Sequence, residues 1–146
     1  MTQPPRLPFF VYGTLMRGFR NYDKHVGSYA SLRFVAERGS VANASLVHFA
    51  AGYPGMYDGG CGIVYGQVVT ADDPQEYDAL FQGLDALEDY YGPGHPSNEY
   101  NRVQVDVDCG TERIRAWTYY CVIPLERAVD TVPSGDWRQY MVDRTP

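Results

Sequence analysis

The chain has 146 residues, of which 45% are apolar and 13 are tyrosine, and its formal net charge is −6. Such a length fits one domain, residues 1–146, able to bury a core without disulfides or metal, and the composition excludes disorder. The acidic balance disfavours nucleic acid and anionic membranes, which repel an acidic protein unless a basic patch intervenes, and the sequence holds no Lys/Arg cluster.

From the start of the chain, Met1-Thr2-Gln3-Pro4-Pro5-Arg6 lacks the basic segment and long apolar stretch of a secretory signal. No run approaches the roughly 20 apolar residues that cross a bilayer, so the expected location is cytoplasmic. Pro8-Phe9-Phe10-Val11-Tyr12 then reads as a strand that breaks into Gly13-Thr14-Leu15-Met16-Arg17-Gly18. Gly13 allows tight turning and close backbone approach, so the amides after Tyr12 could face an anion at the strand's end. An ordinary buried strand stopping at a glycine fits the same residues.

Residues 17–32 are polar and interrupted by Gly18 and Gly27, which predicts a loop with at most a short helix. Residues 34–36, 41–49, 62–69, 100–107 and 114–122 carry β-branched, aromatic or alternating strand patterns, while Gly60-Cys61-Gly62 reads as a turn. One segment, 74–90, reads as a helix. Asp73 is its N-cap, Pro74 opens the first turn, Glu76 is placed to complete a capping box, and Gly92-Pro93-Gly94 stops it. The expected fold is α+β: a small mixed β-barrel of five to six strands, flanked by this main helix and by short helices.

Tyr77, Leu80, Phe81, Leu84 and Leu87 form the apolar face of that helix. At about 100° per residue, Glu88 falls between Tyr77 and Phe81 in angle, on the same face. A carboxylate aimed at an apolar interior must find partners or take up a proton, and desolvation raises its pKa towards neutrality. Such a group suits a general base; a frayed helix end pairing Glu88 with Arg102 is the bland alternative. Asp85, about 60° away on the flank, either orients a neighbour or meets solvent.

Other catalytic equipment is missing from the sequence. His25, His48 and His95 are isolated, and Cys61, Cys109 and Cys121 are odd in number and widely spaced, so neither a metal site nor a disulfide framework is expected. There is no P-loop, nucleophile elbow or dinucleotide fingerprint, and no cofactor is expected.

Four segments in order, Tyr12-Gly13-Thr14-Leu15, Gly52-Tyr53-Pro54-Gly55, Leu84-Asp85-Ala86-Leu87-Glu88 and Tyr100-Asn101-Arg102, resemble the γ-glutamylcyclotransferase-like family, which includes γ-glutamylaminecyclotransferases. The resemblance runs over residues 9–120. It implies a barrel with a cavity at its mouth, where Tyr12, Gly13, Thr14 and Leu15 hold a γ-glutamyl group or its 5-oxoproline product and Glu88 is the catalytic acid/base. The reaction it implies closes a lactam and frees an amine, with no metal and no cofactor. The partner is a small γ-glutamyl molecule that the family resemblance does not specify, because family substrates vary. The chain departs from the pattern in a longer segment, residues 91–99, before Tyr100.

Two further residues are candidates for the substrate site. Tyr119 alternates with Tyr120 along its strand and either turns its hydroxyl into the cavity or packs in the barrel. Arg102 either meets the substrate carboxylate or pairs with an acidic neighbour. Asn21 caps or braces the loop. A non-catalytic module binding a small carboxylate in the same cavity is the competing function, and Glu88 speaks against it, since binding an anion gains nothing from another carboxylate. The sequence leaves the oligomeric state open.

Overall fold

The computed structural model describes residues 4–144. Its elements in order are β1 (Phe9–Val11), α1 (Tyr22–His25), β2 (Leu32–Phe49), β3 (Tyr53–Ala71), α2 (Pro74–Leu87), β4 (Tyr100–Asp108), β5 (Arg113–Cys121), a 3-10 turn (Leu125–Arg127), β6 (Ala128–Thr131) and α3 (Trp137–Arg144). The strands pair in the order β3-β1-β5-β4-β2, and β2 pairs with β3 to close a five-stranded barrel; β6 adds to β2. All pairings are antiparallel except β1 with β5, so the barrel is mixed, as expected. Closure leaves no open edge on the ring itself.

β1 is only three residues long but runs through the middle of the core. Phe9 and Phe10 are almost fully buried, paired with Val69 and Val68 of β3 and, at Phe9, packed on the Tyr77 and Phe81 rings. Its apolar, fully buried character is what a strand flanked on both sides and covered by a helix requires. Pro8 accepts from Trp117 N–H at 2.8 Å, and Phe10 accepts from the Thr118 hydroxyl at 3.0 Å, which anchors β1 to β5.

The pair β2 and β3 is longer than its patterns suggested. Residues 34–36 and 41–49 are one strand, kept continuous through register shifts at Phe34/Ala36, Ala36/Gly39 and Ala42/Ala44. A bulge inserts a residue and bends the ladder without ending it, which the period-2 pattern does not reveal. Gly60-Cys61-Gly62 is likewise not a turn between elements: it lies inside β3, where residues 59–62 bow out opposite Asn43 with positive φ at Gly59 and Gly60.

α2 covers one wall, burying Tyr77, Leu80 and Leu84, with Phe81 against Phe9 and Trp117 at centroid distances of 5.8 and 5.9 Å. Asp73 caps it, its carboxylate accepting from Glu76 N–H at 3.0 Å. The capping box is only half made, because the Glu76 carboxylate accepts instead from Ala30 N–H, Ser31 N–H and the Ser31 hydroxyl, tying the helix start to the preceding loop. The helix also ends earlier than expected. Asp89 adopts a left-handed backbone, φ 51°, and Tyr90 N–H bonds Asp85 C=O at 2.9 Å while Asp89 N–H bonds Ala86 C=O at 3.2 Å. This pair of bonds is a Schellman closure, and Gly92-Pro93-Gly94 lies beyond it.

The chain after Cys121, for which the patterns predicted no elements, adds β6 and α3. Trp137 is buried, and His48 meets it edge-on at 5.3 Å while its Nδ1 bonds the Tyr140 hydroxyl at 2.8 Å.

Candidate active site

Between the end of β1, the end of α2 and β5 lies a cavity of about 250 Å³. It is small against the roughly 300–1,000 Å³ of drug-sized pockets, and suits a metabolite of amino-acid size. Tyr12, Gly13, Thr14, Leu15, Glu88 and Tyr119 all line it, so six of the seven candidate residues converge on one space.

The first wall is the loop after β1. Met16 N–H bonds Gly13 C=O at 3.0 Å and Asn21 N–H bonds Thr14 C=O at 3.1 Å, folding the loop back on itself. Asn21 also donates from Nδ2 to the Thr14 hydroxyl at 2.8 Å, so it braces the loop. Gly13 is required by close approach: a Cβ there would sit 2.5 Å from Pro54 Cγ. Among the described residues no backbone or side-chain acceptor takes the N–H of Gly13, Thr14 or Leu15, which leaves three adjacent donors at the cavity wall. Tyr12 is buried and its hydroxyl donates to Tyr119 C=O at 2.8 Å, so it fastens the loop to β5.

Opposite stands Glu88. It occupies the C-cap position of α2, its N–H still bonded to Leu84 C=O at 2.9 Å, so it continues the phase of the helix's apolar face and lines the cavity. None of the ion pairs among the described residues involves it. Burial, reinforced by the charges of Asp89 and Glu99, pushes its carboxyl from an ordinary 4.5 up to about 8.

Arg102 does not line the cavity, which corrects its expected place at the substrate. Its guanidinium pairs with Asp85 Oδ2 and lies 4.3 Å from the Phe81 ring centroid and 5.0 Å from those of Tyr90 and Trp117. The planar cation is taken up by aromatic faces and a carboxylate before it can reach a ligand. Asp85 has a partner on its other oxygen as well: Oδ1 accepts from the Tyr119 hydroxyl at 2.6 Å. Arg102 and Tyr119 are directly opposite in the β4/β5 register, so their side chains leave the sheet together beneath Asp85. Burial and the adjacent Asp85 hold the Tyr119 phenol far above the ordinary tyrosine range.

The cavity rim holds residues that no pattern singled out as site residues. Tyr53, Pro54 and Tyr100 lie within quoted motifs; Tyr100 donates to Pro54 C=O at 2.9 Å, supporting the proline that abuts Gly13. Asp89 and Glu99 had no signal, because they meet only after the helix closes and Glu99 N–H bonds Asp89 C=O at 3.1 Å. Burial and the hydrogen bond to Asp89 raise the Glu99 carboxyl. Of the long segment 91–99 only Glu99 reaches the cavity, since Asn98 ties the rest into a compact loop through Tyr91 N–H and Gly92 C=O. Among the described residues no three of His, Cys, Asp and Glu converge as metal ligands.

The chain and its fold match known proteins. The profile of the family described as γ-glutamyl cyclotransferase, AIG2-like, covers residues 9–139. A γ-L-glutamyl-butirosin B γ-glutamyl cyclotransferase from Niallia circulans is 30% identical over 131 residues, 90% of this chain and 75% of that protein. The fold is similar to YkqA from Bacillus subtilis, with TM-score 0.66, 24% identity and 96% of this chain covered. It is similar also to an AIG2-like protein from Mus musculus, with TM-score 0.64, 23% identity, and 83% of this chain and 81% of that one covered. The chain spans 43% of YkqA. It belongs to the γ-glutamyl cyclotransferase, AIG2-like family.

Proposed function

We propose that the protein cyclises the γ-glutamyl group of a γ-glutamyl amine or peptide to 5-oxoproline and releases the free amine. The observation that carries this reading is an unpaired carboxyl, held near pKa 8, lining the same cavity of amino-acid size as three residues whose backbone N–H groups are unpaired. The reaction needs no protein nucleophile, because the substrate's α-amine attacks its own γ-carbonyl carbon. Two protons must leave the α-nitrogen, one before attack and one after, and two must reach the departing nitrogen. A carboxyl whose pKa lies near that of an α-ammonium is suited to take and return them.

The amides of Gly13, Thr14 and Leu15 offer fixed donors for the α-carboxylate or for the oxyanion that forms on the γ-carbonyl, and fixed donors stabilise charge without reorganising. Holding the chain folded for ring closure contributes an effective molarity on the order of 10⁵ M in favourable cases.

The test is an assay of 5-oxoproline released from a panel of γ-glutamyl amines, γ-glutamyl dipeptides and glutathione. Release from at least one member is expected, and Glu88→Gln abolishes it while retaining 5-oxoproline binding. No product from any member, with 5-oxoproline still bound, would establish a carboxylate-binding module instead.

A further inference from the structure

Asp85 and Arg102 do not line the active-site cavity, yet they determine what Tyr119 can do there. The Tyr119 hydroxyl has one proton, and Asp85 Oδ1 takes it at 2.6 Å. Asp85 is itself held by the Arg102 guanidinium on Oδ2, and Arg102 is fixed among Phe81, Tyr90 and Trp117. Both partners of the ion pair are largely buried, with side-chain exposures of 15% and 20%, which limits the competition of water for either. A phenol whose proton is committed has only lone pairs left to offer.

We propose that Asp85, backed by Arg102, is a positioning residue that makes Tyr119 an obligate hydrogen-bond acceptor for the α-nitrogen of the γ-glutamyl group. The inference rests on the cyclisation reading above. Glu88 and Tyr119 line the same cavity, close enough that the Glu88 charge bears on the phenol. An α-ammonium reaching Glu88 with one N–H presents another to Tyr119. Two acceptors fix the nitrogen's rotation and so aim its lone pair at the γ-carbonyl once Glu88 has taken a proton. The bond to Tyr119 survives ring closure, because the lactam nitrogen keeps one N–H. Were the hydroxyl free, it would donate to Glu88, lower the carboxyl's basicity and withdraw the second acceptor.

The test compares wild type, Tyr119→Phe, the paired Asp85→Ala/Arg102→Met and the triple variant. Removing the ion pair as a unit strands no charge and keeps the fold, since apolar replacement of a buried pair is often neutral. Circular dichroism and the melting transition check this directly. On a γ-glutamyl amine that wild type turns over, Tyr119→Phe and the paired variant each lose about 10- to 100-fold in kcat/KM, the range for a hydrogen bond to a charged group. The triple variant loses no more than Tyr119→Phe alone.

In the paired variant the acidic limb of the kcat/KM profile moves down by about half a unit or more, as the freed hydroxyl donates to Glu88. Adding Tyr119→Phe removes that displacement, whereas a purely structural or long-range charge effect would leave it in place. Calorimetry of 5-oxoproline binding reads the same non-additivity without turnover. Wild-type turnover with a folded paired variant equal to wild type, or with fully additive losses, overturns the inference alone. An inactive wild type that keeps the binding pattern overturns the cyclisation reading alone. A wild type that binds no 5-oxoproline overturns both.

Discussion

At the residue scale the site is two single-residue devices. Glu88 is held near pKa 8 by burial, and an acid whose folded pKa lies above its unfolded one contributes stability only while it is protonated in both states. That contribution is full below pH 4.5 and is lost as pH rises to about 8. Glu88→Gln, isosteric with the neutral acid, therefore has a melting temperature close to wild type at pH 4.5 and increasingly above it towards pH 9. The corresponding difference in unfolding free energy reaches on the order of 3–5 kcal/mol, taking about 1.4 kcal/mol per pKa unit. The same titration places the acidic limb of wild-type kcat/KM near pH 8, where an exposed glutamate would put it near 4.5; measured pH–rate profiles distinguish the two. Gly13→Ala forces a methyl to within 2.5 Å of the Pro54 ring and displaces the donor loop, at a cost of about 1–3 kcal/mol. Calorimetry on that variant is expected to show 5-oxoproline affinity reduced at least tenfold, with the barrel still folded.

At the element scale the decisive feature is how α2 stops. Its Schellman closure holds Asp89 in a left-handed backbone that glycine adopts without steric cost. Asp89→Gly is expected to stabilise the protein by up to ~1 kcal/mol in denaturant unfolding. It also removes a charge that raises Glu88, so the acidic limb shifts to lower pH. Stability and basicity are opposed at this one position. The helix itself was legible: the spacing of Tyr77, Leu80, Phe81 and Leu84 and the Asp73 cap marked it, and the angle of Glu88 marked the site. Its end was not, because a Schellman closure by Asp rather than Gly carries no strong compositional signal, and without it the meeting of Asp89 and Glu99 is invisible. Arg102 was open to two readings, and its pairing with Asp85 among the Phe81, Tyr90 and Trp117 rings decides between them, a meeting of three elements that no local pattern shows.

On the scale of the whole molecule, the barrel was legible from six strand patterns, two of them parts of one strand, and one helix, and its loop from the break at Gly13. The long bulged pair β2 and β3 was not, since each register shift breaks the alternation that marks a strand. Nor was the C-terminal portion: β6 is four residues, mostly exposed, and α3 presents no clear apolar face, with Trp137 its one fully buried residue. Trp137→Ala is expected to cost about 3–5 kcal/mol, read by denaturant unfolding, with little effect on Glu88's titration because the residue packs on His48 and outside the cavity.

The three residues of β1 have a consequence for the order of events in folding. Bonds from Tyr12 and Phe10 to the β5 segment span 107 and 108 residues, so β1, even once paired with β3, is fastened on its second side only after nearly the whole chain has collapsed. Contacts that distant slow folding. The donor loop is the direct continuation of β1, and it acquires its shape when that strand is inserted. Ligand binding therefore reports the last closure of the barrel: in stopped-flow refolding, recovery of 5-oxoproline binding is expected to follow the slowest phase, while α2 forms its far-ultraviolet signal earlier. A partly assembled chain has a helix and a hairpin, and nothing that can hold a substrate.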